Sequence, residues 1–196
     1  MFERYTEKAR RAVFFAHYEA SHYGSPEIDT EHILLGLLRE DKALSNRFLR
    51  PGASESIRKQ IDGHITWRER IPTSVDLPLS ENAKKVVVHS GETADELGHR
   101  YIGTEHLLLG LLRMENCFAA ERLRKQGAEL TKLREAVAKM ESLPPLATPI
   151  RVHPHQPQWI DFHGASGMPP LYSNSSADIV STLGTGRRKS GHHKMW

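Results

Sequence analysis

The sequence predicts an all-α fold: a pseudo-twofold bundle of two four-helix repeats, about eight helices, followed by a C-terminal tail. One observation is a nearly duplicated stretch, which reads IDTEHILLGLLR at 28–39 and IGTEHLLLGLLR at 102–113. A second is that apolar residues in both halves recur at helical spacing, whereas no stretch alternates as a strand does. Together these observations indicate a helical unit that has been duplicated.

The duplication extends well beyond this stretch. One constant offset aligns the two halves without a gap for more than thirty residues and pairs Thr6 with Ser80, Ala9 with Ala83, Val13 with Val87, and Gly24 with Gly98. Such agreement does not arise by chance, so we expect a double-repeat domain over residues 1–143. Its expected parts are repeat one at about 1–69, a proline-bearing linker at 70–79 and repeat two at about 80–143.

Repeat one is expected to contain four helices. Thr6 can cap the first helix because its hydroxyl can accept an early backbone N–H, and Gly24 can end that helix. Thr30 can cap the second, which carries leucines on its buried side. The third and fourth helices are predicted at about 43–50 and from a cap at Ser54 to about Trp67.

Repeat two is expected to follow the same plan. The predicted helices are 81–97 capped by Ser80, 104–114 capped by Thr104, and two more at about 117–125 and 129–142. Gly36 and Gly110 interrupt the leucine-rich second helix of each repeat, and we expect them to allow close helix approach.

The composition excludes several classes of protein. Cys117 is the one cysteine, so an intrachain disulfide and a multi-cysteine zinc site are excluded. The net charge of +3 gives no strong support to nucleic-acid binding. No apolar run approaches the roughly 20 residues that span a bilayer, and the start MFERYTEKARRAV is not a secretory signal peptide. We expect a cytoplasmic protein without nucleic-acid or membrane partners.

From residue 144 the sequence becomes rich in Pro, Gly, Ser and His and loses its apolar periodicity. It offers too little apolar surface to offset the ordering of its backbone, so we expect a tail of low order over 144–196. The histidines at 153, 155, 192 and 193 lack neighbouring ligands at metal-site spacing, and we expect no metal site.

The repeated Thr-Glu-His sequence, here called the TEH box (30–32 and 104–106), invites two interpretations. It can be a helix start, in which Thr caps and Glu favours the positive end of the helix dipole. Alternatively, each glutamate can lie near the N-terminus of a first helix, at Thr6 or Ser80, in the same or the other repeat. The carboxylate would then bind a guanidinium, and the helix N-terminus would bind a phosphate.

Four segments carry a resemblance to a known family: MFERYTEKARRAV, the two TEHxLLGLLR boxes, LGHRYIGTEH and GAELTKLREAV. They resemble the N-terminal double-repeat domain (Clp N, or Clp R) of the ClpC-type Clp/Hsp100 unfoldases over about residues 1–143. The resemblance implies an all-helical docking module that binds MecA-like adaptors and proteins marked by phosphoarginine.

The resemblance also implies one phosphoarginine pocket in each repeat. Carried over by position, Glu31 acts with Thr6, and Glu105 acts with Ser80, with glutamate holding the guanidinium and the helix start holding the phosphate. Phe2 matches a residue that contributes to a peptide-binding surface in relatives, and Leu79 is its counterpart in repeat two.

No GxxxxGK[ST] phosphate loop is present, and GTGRRKS at 184–190 lacks its spacing. The domain is therefore expected to be free-standing, without ATPase modules, catalytic residues or a cofactor. We expect a non-enzymatic adaptor or accessory factor of the Clp protease system, with a Clp/Hsp100 unfoldase, Clp protease components, MecA-like adaptors or protein substrates as partners. The alternative is a structural or regulatory interaction protein whose tail over 144–196 carries partner binding.

Overall fold

The computed structural model describes residues 2–140, and these contain eight α-helices and no named strand. The helices of repeat one are α1 (Glu7–Tyr23), α2 (Thr30–Glu40), α3 (Lys42–Phe48) and α4 (Ala53–Asp62). Those of repeat two are α5 (Glu81–Glu96), α6 (Thr104–Arg113), α7 (Phe118–Lys125) and α8 (Leu130–Ala138). The predicted all-α double repeat is confirmed, and the predicted tail lies outside the described residues.

Each repeat is built on a closely packed pair of helices, α1 on α2 and α5 on α6. A Cβ atom added to Gly36 would lie 2.2 Å from the backbone oxygen of Ala12 in α1. One added to Gly110 would lie 2.4 Å from Ser90 Oγ and 2.6 Å from the backbone oxygen of Val86 in α5. The two glycines therefore allow the close approach that the sequence predicted.

The caps of α1 and α5 agree with the sequence prediction. Thr6 Oγ1 accepts a hydrogen bond from Ala9 N at 3.2 Å, and Ser80 Oγ accepts one from Ala83 N at 3.0 Å. Gly24 ends α1 with a φ of 68°, in the left-handed region that glycine adopts at least strain.

Three other predicted caps are wrong by one or two residues. Thr30 and Thr104 are the first helical residues of α2 and α6, and the N-caps are Asp29 and Gly103. The threonine hydroxyls instead make side-chain contacts within the candidate site described below. The N-cap of α4 is Gly52 rather than Ser54, and it makes no side-chain cap hydrogen bond.

The fourth helix ends at Asp62, five residues before the predicted end at Trp67. After a turn at 63–65 the chain continues without regular secondary structure past the C-terminal end of α1. Arg68 N donates to Tyr23 O at 3.0 Å, and Ile71 N donates to Ser21 O at 3.0 Å. These tertiary hydrogen bonds replace further helical turns, which explains the earlier end of α4.

Two isolated parallel β-bridges join the repeats. Tyr5, before α1, pairs with Ile102, before α6. Ile28, before α2, pairs with Leu79, before α5. All four of these side chains are buried in one apolar core that both repeats share. Each first helix therefore starts beside the second helix of the other repeat. No described helix is long and apolar enough to cross a membrane.

Candidate functional site

The two bridges decide which helix start meets which TEH box. Thr6 N donates to Ile102 O at 2.9 Å, so the start of α1 lies beside the box of repeat two. Ser80 N donates to Ile28 O at 2.9 Å, so the start of α5 lies beside the box of repeat one. The same-repeat pairing of Glu31 with Thr6 and of Glu105 with Ser80 is therefore wrong. The N-terminal segment of each repeat crosses to the other repeat because its backbone is bridged there.

The crossing creates two related regions at the junction of the repeats. We call the first the Glu105 cleft; it is formed by Thr6, Lys8, Asp41, Gly103, Thr104 and Glu105. We call the second the Glu31 cleft; it is formed by Asp29, Thr30, Glu31, His64, Ser80 and Cys117. The backbone plan of the two clefts is the same, and their side chains differ.

In the Glu105 cleft the carboxylate folds back over the glycine that precedes its box. A Cβ atom on Gly103 would lie 2.1 Å from Glu105 Oε1, so only glycine leaves room for this conformation. About 22% of the Glu105 side chain is exposed, and Thr6 is half-buried. A ligand can therefore reach both the carboxylate and the cap of α1 from solvent.

Asp41 closes one side of the Glu105 cleft from repeat one. Its Oδ2 accepts a hydrogen bond from Thr104 Oγ1 at 2.8 Å, and its Oδ1 accepts from Leu44 N at 3.0 Å as the N-cap of α3. Lys8 Nζ, on the first turn of α1, lies 3.7 Å from Asp41 Oδ2 and is largely exposed. The cleft thus contains a cation next to the α1 start and two carboxylates beneath it.

The Glu105 carboxyl is held in its ionised form. Burial alone would raise its pKa, but positive charge on the His106 ring and the backbone N–H of Glu105 together lower the pKa below its ordinary value. Glu105 Oε1 lies 3.2 Å from His106 Nδ1. A carboxylate at this position can pair with a guanidinium at any pH near neutrality.

The Glu31 cleft carries an additional carboxylate at the helix start. Ser80 Oγ donates to Asp29 Oδ1 at 2.8 Å, and the same oxygen accepts from Thr30 N at 2.7 Å. Asp29 stands where repeat two has Gly103. Ser80 is only 5% exposed, in contrast to the half-buried Thr6.

Glu31 itself is more enclosed than Glu105. Its Oε2 accepts from Thr30 Oγ1 at 2.9 Å, its Oε1 lies 3.7 Å from His64 Nε2, and 12% of its side chain is exposed. The His64 ring stacks on Phe118 with 3.8 Å between ring centroids. Burial raises the pKa of the Glu31 carboxyl, and the charge of Asp29 adds to the increase.

The sequence did not predict that the histidines of the TEH boxes complete the helix caps. His32 Nδ1 accepts from Asp29 N, and His106 Nδ1 accepts from Gly103 N, each at 2.9 Å. Each imidazole therefore takes the place of the Glu or Gln that completes a capping box three residues after the N-cap. Burial lowers the pKa of His32 to about 4, so its ring is neutral at physiological pH.

The capping roles of Asp41 and Cys117 were also not predicted, and the two residues are structural counterparts in the two repeats. Each is the N-cap of a third helix, and Cys117 Sγ accepts from Ala120 N at 3.3 Å. Asp41 approaches Thr104, whereas Cys117 approaches Thr30. Burial raises the pKa of the Cys117 thiol, so this position is uncharged where the other cleft has a carboxylate.

The two residues expected on a peptide surface differ in their exposure. Phe2 is half-buried and packs edge-on against Tyr5, with 4.9 Å between ring centroids. Leu79 is 9% exposed because it lies in the core beside Ile28. Little of the Leu79 side chain is therefore available to a peptide.

Within residues 2–140, no group of three or more His, Cys, Asp or Glu side chains is arranged to hold a metal ion. The histidines at 153, 155, 192 and 193 lie outside this described range.

Known proteins match both the sequence and the fold. The chain is 38% identical over 142 residues to the negative regulator of genetic competence ClpC/MecB of Bacillus subtilis, covering 71% of this chain and 17% of that protein. It is 40% identical over 142 residues to the chloroplastic chaperone protein ClpC of Pisum sativum, covering 71% and 15%. The chain thus spans less than a fifth of the length of these relatives.

Solved structures with the same fold include the N-terminal domain of the caseinolytic protease associated chaperone ClpD from Arabidopsis thaliana. This match has a TM-score of 0.51 at 28% identity and covers 69% of this chain and 93% of that one. The Hsp104 N-terminal domain from Candida albicans matches with a TM-score of 0.56 at 16% identity, covering 70% and 91%, and supports the fold alone.

The family comparison covers both repeats. The Clp repeat (R) N-terminal domain matches residues 4–90 and again residues 78–153. These two matches together span well over half of the 196 residues. The chain therefore belongs to the family of Clp repeat N-terminal domains.

Proposed function

We propose that this chain is a non-enzymatic protein-binding module of the Clp unfoldase and protease system, located in the cytoplasm. It would act as an adaptor or accessory factor that docks protein substrates or MecA-like adaptors and brings them to a Clp/Hsp100 unfoldase. Family membership supports the general role. The observation that supports a specific ligand is the Glu105 cleft, where an ionised carboxylate, a helix start and a lysine come together.

The chemistry of the Glu105 cleft fits a phosphorylated guanidinium. Glu105 can accept two parallel hydrogen bonds from a planar guanidinium group, which gives both affinity and orientation. The first turn of α1 begins at Thr6, and its early N–H groups together with the Lys8 ammonium favour an anion. Phosphoarginine carries the cation and the anion on one side chain, and so it matches both halves of the cleft.

A calorimetric titration of the full chain with free phosphoarginine tests this ligand. We expect Glu105→Gln to weaken binding by roughly tenfold or more, because a charged hydrogen-bond acceptor is lost. Glu135→Gln removes an exposed carboxylate from α8 and serves as the matched control, with affinity expected to stay within about twofold. Equal affinity of Glu105→Gln and the wild type would remove this carboxylate from the site.

A second experiment tests the Clp partners. The intact chain is used to capture proteins from its own cells, with and without an excess of phosphoarginine, and the bound proteins are identified by mass spectrometry. We expect a Clp unfoldase, a Clp protease component or a MecA-like adaptor, together with marked substrates that phosphoarginine displaces. Recovery of none of these proteins would contradict the proposed role.

A further inference from the structure

We propose that the Asp29 carboxylate makes the two clefts differ in ligand specificity. The Glu105 cleft binds a phosphorylated guanidinium, and the Glu31 cleft, which contains Asp29, rejects it. This inference rests on the proposed function and identifies Asp29 as the residue that determines specificity at the second cleft.

The Asp29 carboxylate already occupies the start of α5. Its Oδ1 accepts the hydroxyl proton of Ser80 at 2.8 Å and the backbone N–H of Thr30 at 2.7 Å. The Ser80 hydroxyl in turn accepts from Ala83 N, and its one proton is already donated to Asp29. A phosphoryl group that entered here would meet a fixed negative charge and a hydroxyl without a free proton.

The difference between the clefts lies in this side chain and not in the backbone. Asp29 has φ −102° and ψ 178°, and Gly103 has φ −96° and ψ −179°. Both residues are N-caps, and both donate their backbone N–H to the box histidine. Glycine and aspartate therefore fit the same backbone position, and an exchange of the two leaves the fold of the cleft in place.

The side chain at this position also decides where the glutamate lies. Glu105 folds over Gly103, into space that a Cβ atom would fill at 2.1 Å from Oε1. Residue 29 has a Cβ atom, and Glu31 instead hydrogen-bonds Thr30 Oγ1 and faces His64. Aspartate thus both places a charge at the helix start and excludes the conformation that glutamate takes in the other cleft.

The other charged positions differ as well, and they act in both directions. Lys8 of the Glu105 cleft lies 3.7 Å from Asp41 Oδ2, whereas Cys117, the counterpart of Asp41 in the Glu31 cleft, is uncharged. The position of Lys8 on α1 corresponds to Asn82 on α5, so the Glu31 cleft lacks the cation that accompanies the α1 start. Asp29 and Glu31 together favour a cation over a group that carries a phosphoryl charge, because like charges at short range repel strongly where solvent is partly excluded.

The test is an NMR titration of the full chain with free phosphoarginine. It follows the backbone amide resonances of the two helix starts, residues 7–9 of α1 and 81–83 of α5. In the wild type we expect saturable shifts at 7–9 alone. Asp29→Asn keeps the hydrogen-bond acceptors and removes the charge, and Asp29→Gly reproduces repeat two. We expect each variant to gain binding at 81–83, by roughly tenfold for Asp29→Asn and more for Asp29→Gly. Gly103→Asp should lose roughly tenfold in affinity at 7–9.

Glu27→Gln is the matched control because it removes an exposed carboxylate two residues from Asp29. We expect it to show no gain in phosphoarginine affinity at 81–83. A wild type in which 7–9 and 81–83 both fail to respond contradicts the proposed function. A wild type that binds at 81–83 as tightly as the Asp29 variants contradicts the inference alone. An absence of any gain at 81–83 in both Asp29 variants also overturns the inference.

Discussion

The Glu105 and Glu31 clefts have the same backbone plan, and their charged side chains are arranged differently. In the first, a carboxylate lies over a glycine beside a lysine, and its pKa is lowered. In the second, a carboxylate is enclosed next to an aspartate that caps the same helix, and its pKa is raised. Duplication has preserved the caps, the bridges and the close glycine contacts, whereas the charges that would face a ligand have diverged.

This comparison separates what the fold requires from what a ligand would require. The box histidine and the crossed bridge occur in both repeats, so they serve the structure common to both. Asp29 against Gly103 and Lys8 against Asn82 differ between the repeats, although both members of each pair fit the same backbone. Residues of the second kind are the better candidates for specificity.

The largest effect on stability is expected at the two glycines that allow the close helix contacts, one in each repeat. Gly36→Ala would place a Cβ atom 2.2 Å from a backbone oxygen of Ala12, and we expect it to lower the free energy of unfolding by about 3 kcal/mol. Gly110→Ala should also destabilise, but by less, because its closest backbone contact, with Val86 O, is at 2.6 Å and the nearer Ser90 hydroxyl can rotate away. Urea denaturation of both variants measures the difference.

Gly63→Ala is the control for these glycines, since an added Cβ atom there meets nothing closer than 3.7 Å. We expect its stability to equal that of the wild type. A Gly36→Ala variant as stable as Gly63→Ala would show that α1 and α2 can separate freely, and would contradict the close packing described above.

A smaller loss of stability is expected on acidification, and it arises from His32 in repeat one. The pKa of His32 is about 4 in the folded chain and near 6.5 when unfolded, so the folded state requires the neutral ring. Stability from this group is complete above pH 6.5 and is lost as the pH falls, by about 2 kcal/mol between pH 7 and pH 5. Urea denaturation over this range should show that His32→Gln is less stable at pH 7 and loses less on acidification.

His22→Gln provides the comparison, because His22 is exposed on α1. We expect it to follow the wild-type pH dependence. An unchanged pH dependence in His32→Gln would mean that a different group causes the acid-induced loss.

The smallest effects are expected for the two glutamates, and they have opposite signs. Glu105 has a lowered pKa, so its ionised form stabilises the fold, and Glu105→Gln should reduce stability by about 1 kcal/mol at pH 7. Glu31 has a raised pKa, so its ionised form opposes folding, and Glu31→Gln should leave stability equal or higher. Thermal or urea denaturation at pH 7 distinguishes the two.

The pH dependence of these variants sharpens the comparison. The loss from Glu105→Gln should vanish as the pH falls below the ordinary glutamate pKa and through the lowered value in the fold. Any gain from Glu31→Gln should be complete above the raised pKa of Glu31 and should shrink as the pH falls through it. Variants that lose stability equally at every pH would show that the two carboxylates have similar surroundings.

The sequence predicted local features of the fold better than long-range ones. The caps at Thr6 and Ser80, the stop at Gly24 and the close approach at Gly36 follow from one residue and its immediate neighbours. The crossing of each N-terminal segment to the other repeat depends on backbone pairing between Tyr5 and Ile102, which leaves no periodic pattern in the sequence.

The site was predicted only in outline for the same reason. Glu31 and Glu105 were named, but their helix-start partners were exchanged because positional correspondence cannot show which repeat supplies each part. The contrast between IDTEH and IGTEH was visible from the start. Its meaning required the contact between Asp29 and Ser80, which lie far apart along the chain.

The most direct test is a crystal structure of the full chain grown with saturating phosphoarginine. We expect ligand in the Glu105 cleft alone, with its guanidinium on the Glu105 carboxylate and its phosphoryl group at the start of α1 beside Lys8. Ligand bound at Glu31 and Ser80, alone or with equal occupancy in both clefts, would contradict the electrostatic difference on which the proposals depend.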